Sequence, residues 1–489
     1  MKRRLWQAAP LVALVAFTVA FGVAQARSPK WLDLGTEAMY MAAAAVGVNI
    51  LLGSTGVLSL GHGGFFVAGG YAGALLMPEL LDTSWSPWLG WLPAFVVGAA
   101  LGAFLALLSG HLRGFYLTVA TLAFAVLVPA VVTVFDSVLG GPAGRSVERF
   151  PDTANAFLAR DNARAGLYDT AFVFLLLTLA VAAALRRSRW GRALVAIRDA
   201  EPAARAFGLP TYGYKVGGFA LSAGIVAVAG WLAALRFLTV SSGSAADVGA
   251  LSFRLVVIVV LGGAGTLFGP VVGAFLLTFL FGLAVVQETF RDYQGLFFGT
   301  IALGLVAAAP EGLVGSLRRR LPTPARPAAP VAQARELRVE SGTGVLLDVH
   351  GLTKRYGGVV ALDQLHLKVR AGTAHAIIGP NGAGKSTFVD LLSGLQQPTE
   401  GTMLFGGEEL PTGRPRKRAA MGIARTFQAV RLWPGLTVVE NVLVGGHHHR
   451  LARSDAQGLL ELVGLGGRAD ADAGTLPFAD QRRLEIARA

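Results

Sequence analysis

The 489-residue chain is 53% apolar and 15% charged, carries a net charge of +13 and contains no cysteine. So much apolar material exceeds what a soluble fold buries and indicates a membrane protein, while the absence of thiols excludes disulfides, thiolate metal sites and thiol catalysis. Arg residues cluster at the ends of apolar segments, so membrane lipid, and not nucleic acid, is the expected partner of the positive charge.

Apolar stretches recur at about Pro10–Ala24, Ala38–Leu52, Phe65–Met77, Trp91–Leu108, Phe115–Phe135, Tyr168–Leu185, Val216–Val240, Leu255–Leu267, Val271–Val286 and Gly295–Ala309. They predict an α-helical polytopic membrane bundle of roughly ten spans over residues 1–316, a few of them short enough to be broken or re-entrant. Lys2, Arg3 and Arg4 place the amino terminus in the cytoplasm, and an even number of crossings returns the chain there at Arg318–Arg320. The Arg-rich loop Arg186–Lys215 then lies inside and the loop Asp136–Gly166 outside. A rival reading takes the first apolar run with Ala24-Gln25-Ala26 as a cleavable signal peptide, which removes one span and leaves the sidedness of the rest unchanged. No charge within the spans singles out a substrate.

Residues 317–344 turn to Arg, Pro and Ala, with Pro322, Pro324, Pro327 and Pro330 favouring an extended connector. Beyond it, residues 345–489 read as a soluble α/β domain. Val345–Val349 and Leu365–Val369 alternate as strands do, and His375–Ile378 is expected to be the strand that leads into a glycine-rich turn and a helix. That turn, Gly379-Pro380-Asn381-Gly382-Ala383-Gly384-Lys385-Ser386-Thr387, has the spacing of a phosphate-binding P-loop. Its glycines let backbone N–H groups and the helix amino terminus face an anion. Lys385 is suited to the β- and γ-phosphates of ATP and the Ser386 hydroxyl to Mg2+. Tyr356, in the turn Lys354–Gly358, is placed to stack on adenine, although an exposed Tyr in a turn is ordinary.

From Thr353 onward the order Tyr356, P-loop, Arg425-Thr426-Phe427-Gln428 resembles the nucleotide-binding domain of ABC transporters. The resemblance implies that Gln428 touches Mg2+ and the attacking water and senses the membrane domain. Arg431–Val442 and Leu476–Ala489 resemble the branched-chain amino acid branch of that family, and Pro477, Phe478, Ala479, Asp480 and Gln481 its signature motif, which pins ATP bound to the opposite subunit. Ala479 stands where the family has glycine, and its β-carbon is expected to restrict the backbone and narrow the approach of phosphate. The chain ends before the family's apolar strand closing in Asp-Glu, so the expectation is a domain truncated within the cassette that binds ATP but turns it over poorly.

Residues 36–315 resemble the permeases of branched-chain amino acid ABC importers, through Leu51–His62, Leu112–Tyr116 with Thr121–Phe124, and Val260–Pro270. Their glycines permit close helix packing or broken helices beside a pathway. Gly191–Gly208 resembles the coupling segment that docks on the ATPase, with Glu201, Ala203, Ala204 and Gly208 as its candidates. Asp199 or Glu201 suits a helix cap, Pro202 its first turn and Gly208 its end. His447-His448-His449 reads as a solvated turn, since adjacent residues diverge and no further ligand is near. His62 reads as satisfying a backbone carbonyl in preference to lining a pathway.

The resemblance implies ATP-driven import of branched-chain or similar amino acids across a bacterial inner membrane, with the ATP-binding domain cytoplasmic. It also implies a second permease subunit, a second ATP-binding subunit and an extracytoplasmic substrate-binding protein. The alternatives are a truncated or degenerate subunit that binds nucleotide without transport, and an importer of amides or urea; an exporter or channel is disfavoured by the coupling segment.

Overall fold

The computed structural model describes residues 2–25, 28–80, 89–110, 112, 114–147, 163–240, 248–282, 299–300, 303–304, 307, 311–320, 344–448 and 450–489. They form two compact units, Met1–Ser188 with Tyr212–Pro324, and Arg189–Thr211 with Ala325–Ala489. The expected connector from 321 to 343, most of the last expected span and the loop from 148 to 162 lie outside the described residues.

The first unit contains α1 (Lys2–Gln25), α2 (Pro29–Thr55), α3 (His62–Leu80), α4 (Trp91–Ser109), α5 (Phe115–Val134) and α6 (Ala163–Arg187). After α7 (Arg189–Ala206), which belongs to the second unit, it continues with α8 (Thr211–Phe237), α9 (Val248–Gly262), α10 (Gly269–Gly282) and α11 (Gly312–Arg320). Among the described residues, α2, α4, α5, α8 and Arg164–Arg187 of α6 are long and apolar enough to cross a membrane. Helices α2 and α8 are buried almost throughout, whereas α5 turns Phe115, Tyr116, Val126 and Val134 outward. An apolar helix with an outward apolar face is what lipid requires. Small residues let the helices approach: a methyl at Gly102 of α4 would lie 2.5 Å from the Ala223 β-carbon of α8, so substitution there pushes the pair apart.

Helices α9 and α10, of 15 and 14 residues, reach only about 22 Å each, short of the roughly 30 Å hydrocarbon layer. They flank a loop in which Gly263 and Gly265 take positive φ of 118° and 75°. Asn49 of α2 holds that loop from the side, donating through Nδ2 to Thr266 O and accepting at Oδ1 from Gly265 N, both at 2.8 Å.

In the second unit, β1 (Val345–Tyr356), β2 (Val359–Arg370), β3 (Glu400–Phe405) and β4 (Glu408–Glu409) form an antiparallel sheet in the order β2-β1-β3-β4. Leu347, Val349, Leu352 and Met403 pack on Phe388 and Leu391 of α12 (Lys385–Leu392). Then come α13 (Pro415–Ala420), α14 (Val438–Gly445), α15 (Arg453–Leu462) and α16 (Phe478–Arg488). A separate core of Val438, Val439, Val442, Leu460, Leu476 and Leu484 joins α14, α15 and α16. Helix α14 starts on a capping box, Thr437 accepting from Glu440 N while the Glu440 carboxylate accepts from Thr437 N.

His375–Ile378 departs from expectation, since it belongs to no strand. A strand exists through its neighbours' hydrogen bonds, and among the described residues β1 pairs only with β2 and β3, leaving no ladder for this segment. Ile378 is accordingly 91% exposed.

Candidate nucleotide site and coupling seat

The P-loop turns through Gly382 and Gly384, at φ +86° and +80°, into the first turn of α12. Only glycine adopts these angles without strain, and a β-carbon on Gly384 would also collide with the Ala361 carbonyl of β2. The helix start presents N–H groups that have no acceptor within the helix. Lys385 Nζ lies over the loop, donating to Gly379 O at 2.6 Å and Pro380 O at 2.7 Å. Ser386 is exposed. The structure brings the P-loop and Tyr356 to one end of the β1–β2 hairpin, because Gly384 abuts Ala361 and Leu362 while Tyr356 pairs with Val359. Tyr356 is 44% exposed, with Lys354 Nζ 4.8 Å from its ring centroid. Asn381 and Thr387 lie in the same turn and first helical turn.

Gln428 sits on an exposed loop held at two points. On one side Arg425 pairs with Asp390 of α12. On the other, Phe427 N donates to Glu485 Oε1 of α16 at 2.9 Å, and Arg482 donates to the carbonyls of Phe427 and Gln428. Gln428 and Ser386 are both exposed, and no hydrogen bond between them is found among the described residues. Of the signature-like residues, Pro477 is the N-cap of α16, Phe478 is 67% exposed, Asp480 pairs with Arg468 at 2.6 Å, and Gln481 Nε2 donates to Leu476 O at 2.8 Å. Ala479 lies within the helix and has no positive φ. The backbone restriction expected of its β-carbon therefore does not arise, since helical angles suit every L-residue.

Helix α7 kinks at Ala200, whose φ of −155° and ψ of 79° break it into two pieces. Glu201 and Pro202 open the second piece, Ala203 and Ala204 are fully buried, and Gly208 ends the turn at φ +81°. Asp199 is not a helix cap: its Oδ2 accepts from Gly435 N at 2.7 Å and its Oδ1 from Arg198 at 2.8 Å. His448 also departs from the solvated turn expected of it, because its Nε2 lies 3.0 Å from Gly208 O; His449 lies outside the described residues. Packing of α7 on α13 and α14 seats the whole segment.

Two polar groupings in the first unit carry little local sequence signal. His62 Nδ1 is 3.4 Å from Ser59 O, as expected of a group that meets a backbone carbonyl, and its Nε2 also bonds to the Ser222 hydroxyl of α8 at 2.8 Å. Glu37 of α2 accepts from Arg236 of α8 at 2.8 Å and Arg254 of α9 at 3.2 Å, and Arg236 reaches Tyr40 Oη at 3.2 Å. This cluster pairs charges carried by α2, α8 and α9 with one another. The available signal was three isolated charges within otherwise apolar helices, which are costly there unless paired or functional.

A family model described as "Branched-chain amino acid transport system / permease component" matches residues 31–306. The chain belongs to this permease family. An ABC transporter model matches residues 362–489 of the same permease, so a helical membrane domain and an ABC ATPase domain share one chain. The latter is similar to the high-affinity branched-chain amino acid transport ATP-binding protein BraF of Pseudomonas aeruginosa, with 41% identity over 162 residues, 29% of this chain and 64% of that protein. It is 40% identical over 162 residues to LivG of Escherichia coli, a protein of the same description, again covering 29% and 64%. The permease thus spans 64% of the length of these two relatives. Among solved structures, it is similar to an ATP-binding cassette of an ABC transporter in the ADP conformation, with 28% identity, a TM-score of 0.26, and coverage of 30% and 64% of the two chains. A nucleotide-free cassette gives 29%, 0.27, 30% and 64%.

Proposed function

We propose that this chain is the permease and ATP-binding subunit of an ATP-driven importer for branched-chain or similar amino acids in a bacterial inner membrane. The observation that carries the reading is the seating of α7, a segment between two membrane helices, in the unit that holds the P-loop. Such an arrangement suits a machine in which nucleotide-driven motion is passed to a membrane pathway. In the proposed cycle, Tyr356 stacks on adenine, and Gly379, Asn381, Gly382, Gly384 and Thr387 shape the phosphate cradle. Lys385 neutralises the β- and γ-phosphates, and Ser386 and Gln428 would hold Mg2+, which would help spread the charge that builds during transfer. The run Pro477–Gln481, at a helix amino terminus, faces ATP on a second ATP-binding subunit. Glu201, Ala203, Ala204 and Gly208 carry the motion, and a second permease subunit completes the pathway fed by an extracytoplasmic substrate-binding protein.

The test is uptake by proteoliposomes containing the chain with its neighbouring-gene subunits and binding protein. ATP-dependent uptake of leucine, isoleucine or valine, abolished by Lys385→Ala, supports the reading. Uptake of urea or short amides instead overturns the substrate assignment, and nucleotide binding without uptake of any of these overturns the importer reading.

A further inference from the structure

Arg482, Glu485 and Arg488 recur at every third residue on α16 and together grip the loop that carries Gln428. Arg482 Nη1 donates to Phe427 O at 2.9 Å, Glu485 Oε1 accepts from Phe427 N at 2.9 Å, and Arg488 Nη1 donates to Arg431 O at 2.6 Å. Glu485 also links its neighbours, with Oε2 3.0 Å from Arg482 Nη1 and Oε1 3.7 Å from Arg488 Nη2. Arg488 extends further, to the coupling segment. Its guanidinium lies 4.8 Å from the ring centroid of Phe207, at the end of that segment, and 4.5 Å from that of Trp433. The two rings meet edge-to-face at 5.8 Å.

Packing alone does not account for an arginine here. The side chain is 0% exposed, and a buried guanidinium is costly unless its donors and charge are met, whereas an apolar side chain of similar length fills such a site without that cost. Burial pushes Arg488 down to about 10, with Glu485 opposing the shift, so the group remains a cation at neutral pH. A cation is attracted to ring faces within about 6 Å and loses that attraction as a ring slides away. The position of Phe207 is therefore tied to a charge that also contacts the Trp433 ring, Glu485 and the backbone just beyond Gln428.

We propose that Arg488 is a positioning residue that passes the state of the Gln428 loop and the signature-like helix to the coupling segment through Phe207. The inference rests on the coupling reading above. The sequence has no cysteine, so a single cysteine at the fully buried Ala204 reports lifting of the segment through its rate of labelling by N-ethylmaleimide. The full chain in nanodiscs is labelled with and without Mg2+ and a non-hydrolysable ATP analogue, and analogue binding is measured in parallel. In the otherwise unaltered chain the analogue should change the rate at least about fivefold, the low end for coupled sites. Arg488→Met should bind the analogue as tightly yet lose that change, and Arg488→Lys, which keeps the cation, should recover part of it. Phe207→Leu, which removes the ring from the other side, supplies a second arm if Arg488→Met does not fold. A Met or Leu variant that responds like the parent overturns the inference, as does a parent that binds the analogue without any change in labelling. A parent that does not bind the analogue overturns this inference and the ATP-binding reading together.

Discussion

Asp199→Ala should loosen the proposed coupling segment, because it removes a buried charged acceptor. The Asp199 side chain is 7% exposed, and its carboxylate accepts from Gly435 N at 2.7 Å and from Arg198 at 2.8 Å. A hydrogen bond to a charged group contributes about 1.5–3 kcal/mol. At about tenfold per 1.4 kcal/mol, its loss should raise the opening constant of the segment by roughly 10- to 150-fold. Where closing outpaces labelling, the N-ethylmaleimide rate of a cysteine at Ala204 rises by the same factor. Asp199→Asn retains an acceptor oxygen without the charge, and keeping a neutral bond of about 1 kcal/mol leaves a loss of about 0.5–2 kcal/mol, so its rate should rise by only about 2- to 30-fold. Circular dichroism and nucleotide binding establish that the variants are folded. A folded Asp199→Ala protein labelled at the parent rate would show that the carboxylate does not hold the segment, and the proposed docking contact would fall.

Gly384→Ala should reduce ATP binding and thermal stability together, since left-handed backbone costs an L-residue about 1–2 kcal/mol and the new methyl meets the Ala361 carbonyl; unchanged affinity in isothermal titration counts against the loop geometry. Burial, followed by the positive charges of His448, Arg189, Arg416 and Arg192, holds His447 below its ordinary 6.5. The folded chain thus favours neutral imidazole and the unfolded chain binds the extra proton, so this contribution is present above 6.5 and is lost as pH falls below it. Replacing His447 with Gln should flatten the decline in melting temperature as pH falls below about 6.5, and an equally steep decline refutes the assignment. A cysteine at the exposed Ser137 should react with a membrane-impermeant maleimide in intact cells, because the loop after α5 is expected outside; reaction only after permeabilisation means that the sidedness is inverted.

The features legible in the sequence were those written in consecutive residues. The P-loop is one, because Gly382, Gly384, Lys385 and Ser386 specify a left-handed turn, a helix start and a cation within a few positions. Gly208 is another, its positive φ being the ordinary requirement at a helix end. His375–Ile378 failed because an apolar run records a tendency, while a strand also needs a ladder that no local pattern supplies.

Long-range pairs were illegible for a related reason. Glu37 meets Arg236 and Arg254 across 199 and 217 residues, and Asp199 meets Gly435 across 236. Each of these charges, read alone, suits a helix end, a cap or a solvated face equally well. What separates those uses is the desolvation that follows folding: once a carboxylate is removed from water it must find donors, and the nearest unspent ones decide its role. Asp199 found a loop N–H beyond α13, so a residue that local rules assign to capping instead joins α7 to the loop at Gly435. Arg488 follows the same logic from the opposite charge. Its spacing with Arg482 and Glu485 looks like the solvated ion-pair stripe of a surface helix, and burial between Phe207 and Trp433 turns that stripe into a connection from the Gln428 loop to α7.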